Sequence, residues 1–196
     1  MPGAGLEQVK LDSLFVEYHH SILDYSLLTF GYHVYNFFSH LFIHPRTNDF
    51  EEMLLHHIAA FCLYFCYIYG NLVPFGAVIA YLHDLADVFG NLCKALNSST
   101  YQDSSAFFFV MCMIVWFATR CIILPQMIYC IFNNYAYGPG LEHYQPFVTL
   151  NGVFLSVMLC LHYFWFAMFC KILSRYIIKG ETEDTQNKVV KEKKED

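Results

Sequence analysis

Five long apolar segments constrain this sequence more than any other feature. A membrane-spanning helix needs about 20 consecutive, mostly apolar residues. The segments that meet this requirement are 21–43, 52–69, 72–93, 105–132 and 147–178. Short polar or turn-forming stretches such as Gly70-Asn71 and Gly138-Pro139-Gly140 separate them. Because a helix satisfies all its backbone hydrogen bonds within one segment, the sequence predicts an all-α integral membrane protein, a bundle of about five transmembrane helices.

The predicted membrane domain covers residues 21–178 and has a polar segment on each side. Residues 1–20 are expected to be lumenal or interfacial. Residues 179–196 are expected to form a charged tail, which contains five lysines and six acidic residues. Composition agrees, since 57% of the 196 residues are hydrophobic and 14% are charged, against about 25% charged residues in soluble domains. The net charge of -6 speaks against a nucleic-acid partner.

The basic residues predict an orientation. Seven of the 11 Lys and Arg residues lie at or after Lys171, and cytoplasmic segments retain positive charge, so the C-terminus is expected in the cytosol and the N-terminus in the lumen. The chain ends Lys193-Lys194-Glu195-Asp196, which resembles a dilysine retrieval signal of endoplasmic-reticulum membrane proteins. We therefore expect a multi-pass protein of that membrane; a larger assembly in another organelle membrane is the alternative.

Ionisable side chains inside the predicted spans suggest a functional site. His56 and His57 lie in the second span, and His83, Asp84 and Asp87 share one face of the third. A very short turn joins these spans, so they are expected to be antiparallel neighbours whose polar faces converge on one pocket. A carboxylate beside an imidazole prepares the histidine as a general base or nucleophile. The structural alternative is that the pair only bridges two helices.

Other polar positions are open to two interpretations. Arg120 lies deep in the fourth span and needs a counter-ion, for which Asp24, Asp84 and Asp87 are the candidates. His162 in the fifth span either packs between helices or belongs to the site. The remaining histidines are interpreted as interfacial or packing residues: His19, His20, His33, His40 and His44. The eight cysteines contain no Cys-x-x-Cys pair and are interpreted as packing residues.

The two polar spans carry a recognisable motif. The string Asp49-Phe50-x-x-Met53-x-x-His56-His57, then 25 residues, then His83-Asp84-x-x-Asp87 and Lys94, resembles the longevity-assurance motif of ceramide synthases within the TLC domain. Thr119-Arg120 with Pro125, and His162-x-x-Trp165, also look like family positions. The resemblance covers roughly residues 20–180.

The resemblance implies N-acylation of a sphingoid base by a fatty acyl-CoA within the membrane lipid, with acyl-CoA as co-substrate and no bound cofactor. It places His56, His57 and His83 in proton or acyl transfer, with Asp84 and Asp87 orienting them. Lys94 and Arg120 would balance charge near the CoA. His162 and Trp165 complete the expected substrate-binding set.

The chain departs from the family pattern in three respects. Pro74 stands where the family usually has Arg, Asn91 stands where it has Glu, and five spans are found where the family core has about six. The open alternatives are a fragment, a short divergent form, or a subunit whose missing wall comes from a homodimer or partner membrane subunit.

Two rival functions follow. One is a non-catalytic, structural or lipid-sensing TLC-like subunit. The other, a di-iron desaturase, requires His-x-x-His-His boxes that the sequence lacks, so no metal site is expected.

Overall fold

The computed structural model describes residues 20–70, 72–97, 102–135 and 145–179. The predicted lumenal segment before residue 20, the charged tail after residue 179 and the Gly138-Pro139-Gly140 turn lie outside these ranges. All the regular secondary structure in the described residues is helical.

Each predicted span coincides with one helix. The helices are α1 (His20–Phe42), α2 (Phe50–Tyr69), α3 (Val73–Asn97), α4, which begins as Gln102–Trp116, and α5 (Gln145–Lys179). Helix α4 continues through a π-helical segment (Phe117–Ile123), an α-helical one (Leu124–Cys130) and a second π-helical one (Ile131–Tyr135). The predicted all-helical membrane fold is confirmed.

Four of the five helices are long and apolar enough to cross a membrane: α2, α3, α4 and α5. Helix α1 is long enough, but Asp24, His33 and His40 lie within it. Its outer face is nevertheless apolar and exposed, with Leu28, Phe42 and other large side chains uncovered, as expected of a helix that faces lipid.

Successive helices run antiparallel and define two ends of the bundle. At one end, called here the Lys94 end, His40 of α1 stacks on Phe50 of α2 and Cys93 of α3 contacts Ser105 of α4. At the other, the Gly70 end, Gly70 meets Phe147 at the start of α5.

Two glycines allow the helices to approach closely at the Gly70 end. A Cβ atom on Gly70 would overlap the Cys66 carbonyl and the Phe147 side chain, and one on Gly76 would overlap the Tyr67 ring. The turn from α2 to α3 therefore depends on the absence of side chains at these positions. It brings the two helices that carry the predicted site side by side.

Two apolar cores lie on either side of a polar layer. The larger core, toward the Gly70 end, includes Leu72, Leu124 and Leu155. The smaller one includes Ala86, Trp116 and Trp165. Histidines from α2, α3 and α5 lie between them, so the apolar packing fixes the depth of the polar groups in the bundle.

A proline lies beside an interhelical contact in the middle of α4. Pro125, one turn after Cys121, has no backbone N–H to donate within the helix. The Tyr163 hydroxyl of α5 donates to the carbonyl of Cys121 at 3.2 Å. The adjoining π-helical segment carries Arg120, which is buried; short π-helical segments of this kind recur at functional sites.

Candidate active site

Three histidines from three helices meet at the centre of the bundle. The Nε2 atom of His83 on α3 lies 2.8 Å from the Nε2 atom of His162 on α5. The ring centroid of His56 on α2 lies 6.3 Å from that of His162. We call His56, His83 and His162 the histidine cluster.

Geometry assigns the protons of the His83–His162 pair. The Nδ1 atom of His83 lies 2.7 Å from the carbonyl oxygen of Ile79, and a carbonyl only accepts, so this nitrogen carries the proton. When both rings are neutral, Nε2 of His83 must accept the proton of His162 Nε2. Nδ1 of His162 then holds a lone pair; it is buried and has no hydrogen-bond partner among the described residues.

Two tryptophans enclose the histidine cluster. The Trp116 indole N–H donates to the carbonyl of His162 at 3.3 Å, and the Trp165 ring lies 5.5 Å from that of His56. His162 itself is fully buried. The cluster is therefore kept away from lipid on this side and has a fixed orientation.

Arg120 ties α4 to the turn of α3 that carries His83. Its guanidinium forms an ion pair with Asp87 at 2.5 Å and donates to the carbonyl of His83 at 2.8 Å. The guanidinium also lies 3.7 Å above the Trp116 ring, a cation–π contact. Of the three counter-ions proposed from sequence, Asp87 is the one that pairs with Arg120.

Asp84 joins α3 to α1. The Tyr25 hydroxyl donates to its carboxylate at 2.8 Å. The two residues are distant in the sequence, and their contact joins α1 to the part of the motif that lies on α3. It gives α1 a polar attachment beside the histidine cluster.

Two cavities meet at the layer of the histidine cluster. The larger, of about 770 Å³, extends to the Lys94 end and is lined there by Lys94, Ser105 and Tyr176. The narrower, of about 70 Å³, extends toward the Gly70 end as far as Tyr67 and Gly76. The residues that line both cavities are His33, His56, Asp84 and Asp87.

The structure brings together most of the residues singled out in the sequence. His56, His83, His162, Trp165, Arg120 and Asp87 are linked through direct contacts of their rings and polar groups. His57 turns instead toward His40, with ring centroids 5.2 Å apart, and lines the larger cavity. Lys94 is exposed at the far end of that cavity.

The expected pairing of His83 with a carboxylate is wrong. Among the described residues its ring partners are Ile79 and His162. Asp87 is drawn to Arg120 on α4, and Asp84 is bonded to Tyr25 on α1. Sharing one helix face did not bring these side chains together, because Asp87 pairs with a guanidinium on α4, Asp84 accepts a hydrogen bond from α1, and the His83 ring is held by its own helix and by α5.

Three residues that contribute to the site were not identified from the sequence. Tyr25 and Trp116 carried no signal, since aromatic residues are abundant throughout the spans. His33 was interpreted as a packing residue, but it lines both cavities and its ring lies 4.7 Å from that of Tyr64. Within the described residues, no group of three or more His, Cys, Asp and Glu side chains is arranged to hold a metal ion.

Comparison with known proteins places the chain in a family. It belongs to the TLC-domain family, whose model matches residues 7–171. It is 31% identical to mouse ceramide synthase 4 over 147 residues, which are 74% of this chain and 36% of that protein. It is 28% identical to ceramide synthase hyl-2 of Caenorhabditis elegans over 169 residues, 80% of this chain and 50% of that protein.

A plant relative matches over a similar range. The Alternaria stem canker resistance protein 1 of Solanum lycopersicum is 27% identical over 165 residues, 79% of this chain and 52% of that protein. The resemblance drawn from the sequence is thereby confirmed. The chain spans between about a third and a half of the length of these curated relatives.

Proposed function

We propose that this chain carries an N-acyltransferase site that moves a fatty acyl group from acyl-CoA to the amine of a sphingoid base. The observation that carries the proposal is the position of His56, at the junction of two cavities and beside a second pair of histidines. The similarity to ceramide synthases supports the same reaction.

The chemistry of the reaction calls for a histidine. A sphingoid amine is an ammonium ion at neutral pH and must lose a proton before it can attack a thioester. Imidazole accepts protons near neutral pH, and it can also act as a nucleophile toward carbonyl carbon. A site with histidines at the meeting point of two cavities provides for both substrates.

His56 is the histidine best placed to meet the substrates. Both ring nitrogens of His83 are engaged, by Ile79 and by His162. His57 lines only the larger of the two cavities, whereas His56 lines both. We therefore assign the reacting imidazole to His56 and a supporting role to the His83–His162 pair.

Two routes are compatible with this assignment. In direct transfer, His56 takes one proton from the ammonium ion, the neutral amine attacks the thioester carbonyl, the C–S bond breaks, and the second amine proton passes to the departing CoA thiolate. In the covalent route, a ring nitrogen of His56 attacks the carbonyl first and CoA leaves as the thiolate, which takes one proton from the ammonium ion. The neutral amine then displaces the imidazole from the acyl group, forms the amide and gives its second proton to the released imidazole.

The larger cavity is proposed as the entry for acyl-CoA. It extends to the Lys94 end, where α5 also ends, and the distribution of Lys and Arg favours a cytosolic location for this end. The charged CoA head group could then remain in water near Lys94 while its acyl chain enters the bundle. We propose the endoplasmic-reticulum membrane as the location.

The test is acyl transfer in membranes from cells that lack endogenous ceramide synthase activity and express only this chain. His56→Ala and His83→Ala should each reduce transfer by about a hundredfold or more, since a positioned acid–base group contributes at least that much. His20→Ala, an exposed position at the start of α1, is the matched control and should keep the activity. Absence of transfer by the unmutated chain, even with candidate partner subunits present, would refute the proposal.

The two routes can be separated by one further measurement. Membranes are incubated with acyl-CoA and no sphingoid base, and the peptide that contains His56 is analysed by mass spectrometry. An increase in mass equal to one acyl group supports the covalent route. An unmodified peptide from membranes that are active in transfer supports direct attack.

A further inference from the structure

The narrower cavity changes in character along its length. Next to the histidine cluster it is bounded by His56, His83 and Asp84. Its middle wall is apolar and is formed by Ala60, Leu63, Ile79, Ala80, Leu155 and Met158. At the Gly70 end, Tyr67, Gly76 and Asn151 line it. A slot that is polar at one end and apolar along its length suits an alkyl chain whose reacting head is at the histidines.

The ring of Tyr67 lines the far end of this cavity. Tyr67 is 3% exposed, and its ring occupies the space into which a Cβ atom of Gly76 would project. Tyr64 supports the ring from the side, with centroids 4.9 Å apart. The ring is therefore held by α3 on one face and by a neighbouring aromatic residue, and it cannot turn aside without displacing one of them.

The end of the cavity is also less favourable to a hydrocarbon than its wall. The Tyr67 hydroxyl is buried and has no hydrogen-bond partner among the described residues, and Asn151 is 2% exposed. A methylene gains free energy against the alanine and leucine wall because apolar area leaves water. The same methylene gains little free energy beside a polar atom. Both the limited space and the polar atoms therefore favour an alkyl chain that ends at this level.

We propose that Tyr67, held in place by Gly76, is the floor of an alkyl-chain site and sets the longest chain that this protein accepts. The inference rests on the proposed acyltransferase function and adds a determinant of substrate length to it. Tyr67 lies eleven positions after His56 along α2, which corresponds to a depth of about 16 Å at the rise of an α-helix. Both substrates carry a long alkyl chain, and either the acyl chain or the sphingoid chain occupies the site.

The first test compares chain-length preference between variants. Membranes that contain the full chain receive a mixture of saturated acyl-CoAs of increasing length, and in a second arm a mixture of sphingoid bases of increasing length. Tyr67→Ala should move the preferred length upward by at least one member of the series, with a change of about tenfold in the ratio of long to short products. Whichever arm shows the change identifies the chain that lies in the cavity.

Three further variants, with one control, test in which direction the preferred chain length changes. Gly76→Ala pushes the Tyr67 ring toward the cavity, and Ala80→Leu fills the wall nearer to the histidines, so both should shorten the preferred chain. Tyr67→Phe keeps the ring and should keep the preference. Gly31→Ala is the matched glycine control, because no atom lies within 4 Å of its added Cβ. Unchanged preference in both arms for Tyr67→Ala and Ala80→Leu would overturn the proposal.

A second test does not depend on turnover. An acyl-CoA and a sphingoid base, each with a diazirine at the end of its chain, are photolysed with the unmutated protein, and the labelled peptides are identified by mass spectrometry. Labelling at Tyr67, Gly76 or Asn151 supports the floor even if no acyl transfer is detected, in which case only the proposed function fails. Active protein that is labelled elsewhere by both probes refutes the floor and leaves the proposed function intact.

Discussion

The Nε2 atoms of His83 and His162 lie 2.8 Å apart, although 79 positions separate the two residues in the chain. The carbonyl of Ile79 fixes the proton of His83 on the opposite nitrogen. The two rings therefore share one proton along the line that joins α3 to α5. This pair makes α5 part of the site to which α2 and α3 also contribute.

Replacement of His162 should distinguish the contribution of its hydrogen bond to acyl transfer from the contribution of its ring packing. His162→Gln places an amide N–H within reach of His83 and should keep acyl transfer within about tenfold of the unmutated protein. His162→Leu leaves Nε2 of His83 without a donor and should reduce transfer by about a hundredfold. Initial rates in membranes, corrected for protein amount, provide the measurement. Equal loss in both variants would show that ring packing, not donation, is what matters.

Arg120 should stabilise the bundle more than its ion-pair partner does. Arg120→Leu removes the contacts to Asp87, to the His83 carbonyl and to the Trp116 ring, and we expect a loss of about 2 kcal/mol. This is below the usual cost for a fully buried pair because Asp87 is 54% exposed and lines both cavities. Asp87→Asn should be milder, since the amide oxygen still accepts from Arg120. Thermal unfolding in detergent measures both, and a greater effect of Asp87→Asn would contradict this account.

The hydrogen bond from Tyr163 to the Cys121 carbonyl gives a third prediction. Tyr163→Phe removes the hydroxyl that donates to the Cys121 carbonyl and should destabilise the protein by about 1 kcal/mol. Tyr81→Phe, at a tyrosine that is 62% exposed, is the control and should have no effect. Unchanged thermal stability of Tyr163→Phe would show that the hydroxyl contributes nothing.

Orientation in the membrane is testable with one cysteine. Glu181→Cys in a cysteine-depleted background should react with an impermeant thiol reagent added to the cytosolic side, since Lys and Arg concentrate near this end of the chain. Labelling from the lumenal side would reverse the topology. It would also remove the argument that the larger cavity receives acyl-CoA from the cytosol.

The sequence was sufficient to predict the helices. Apolar runs with polar boundaries gave five spans that agree with the five helices, because the length of a span and the cost of exposed backbone in lipid leave few other solutions. The break at Gly70 was also visible, since a glycine followed by Asn71 is a typical turn signal. Which helices would contact each other through their polar side chains could not be predicted in the same way.

Which side chains pair within the site depends on how segments that are distant in the sequence pack together. His83 and Asp87 lie one turn apart on α3, yet His83 bonds to α5 and Asp87 to α4. Nothing within α3 distinguishes these outcomes, because each depends on which helix packs beside which face. Tyr25 is a similar case, since one tyrosine among 15 carries no sign that it will reach Asp84.

The distribution of the histidine cluster over α2, α3 and α5 bears on how the protein is made. Synthesis runs from the N-terminus, so His56 and His83 enter the bilayer before His162 exists. Until α5 arrives, Nε2 of His83 lacks its donor, and the space opposite Gly70 that Phe147 fills is empty. Unpaired polar groups are costly in hydrocarbon, so the helices that precede α5 are less stable before it packs against them. Insertion of α5 thus completes the histidine cluster and the packing around it in one step.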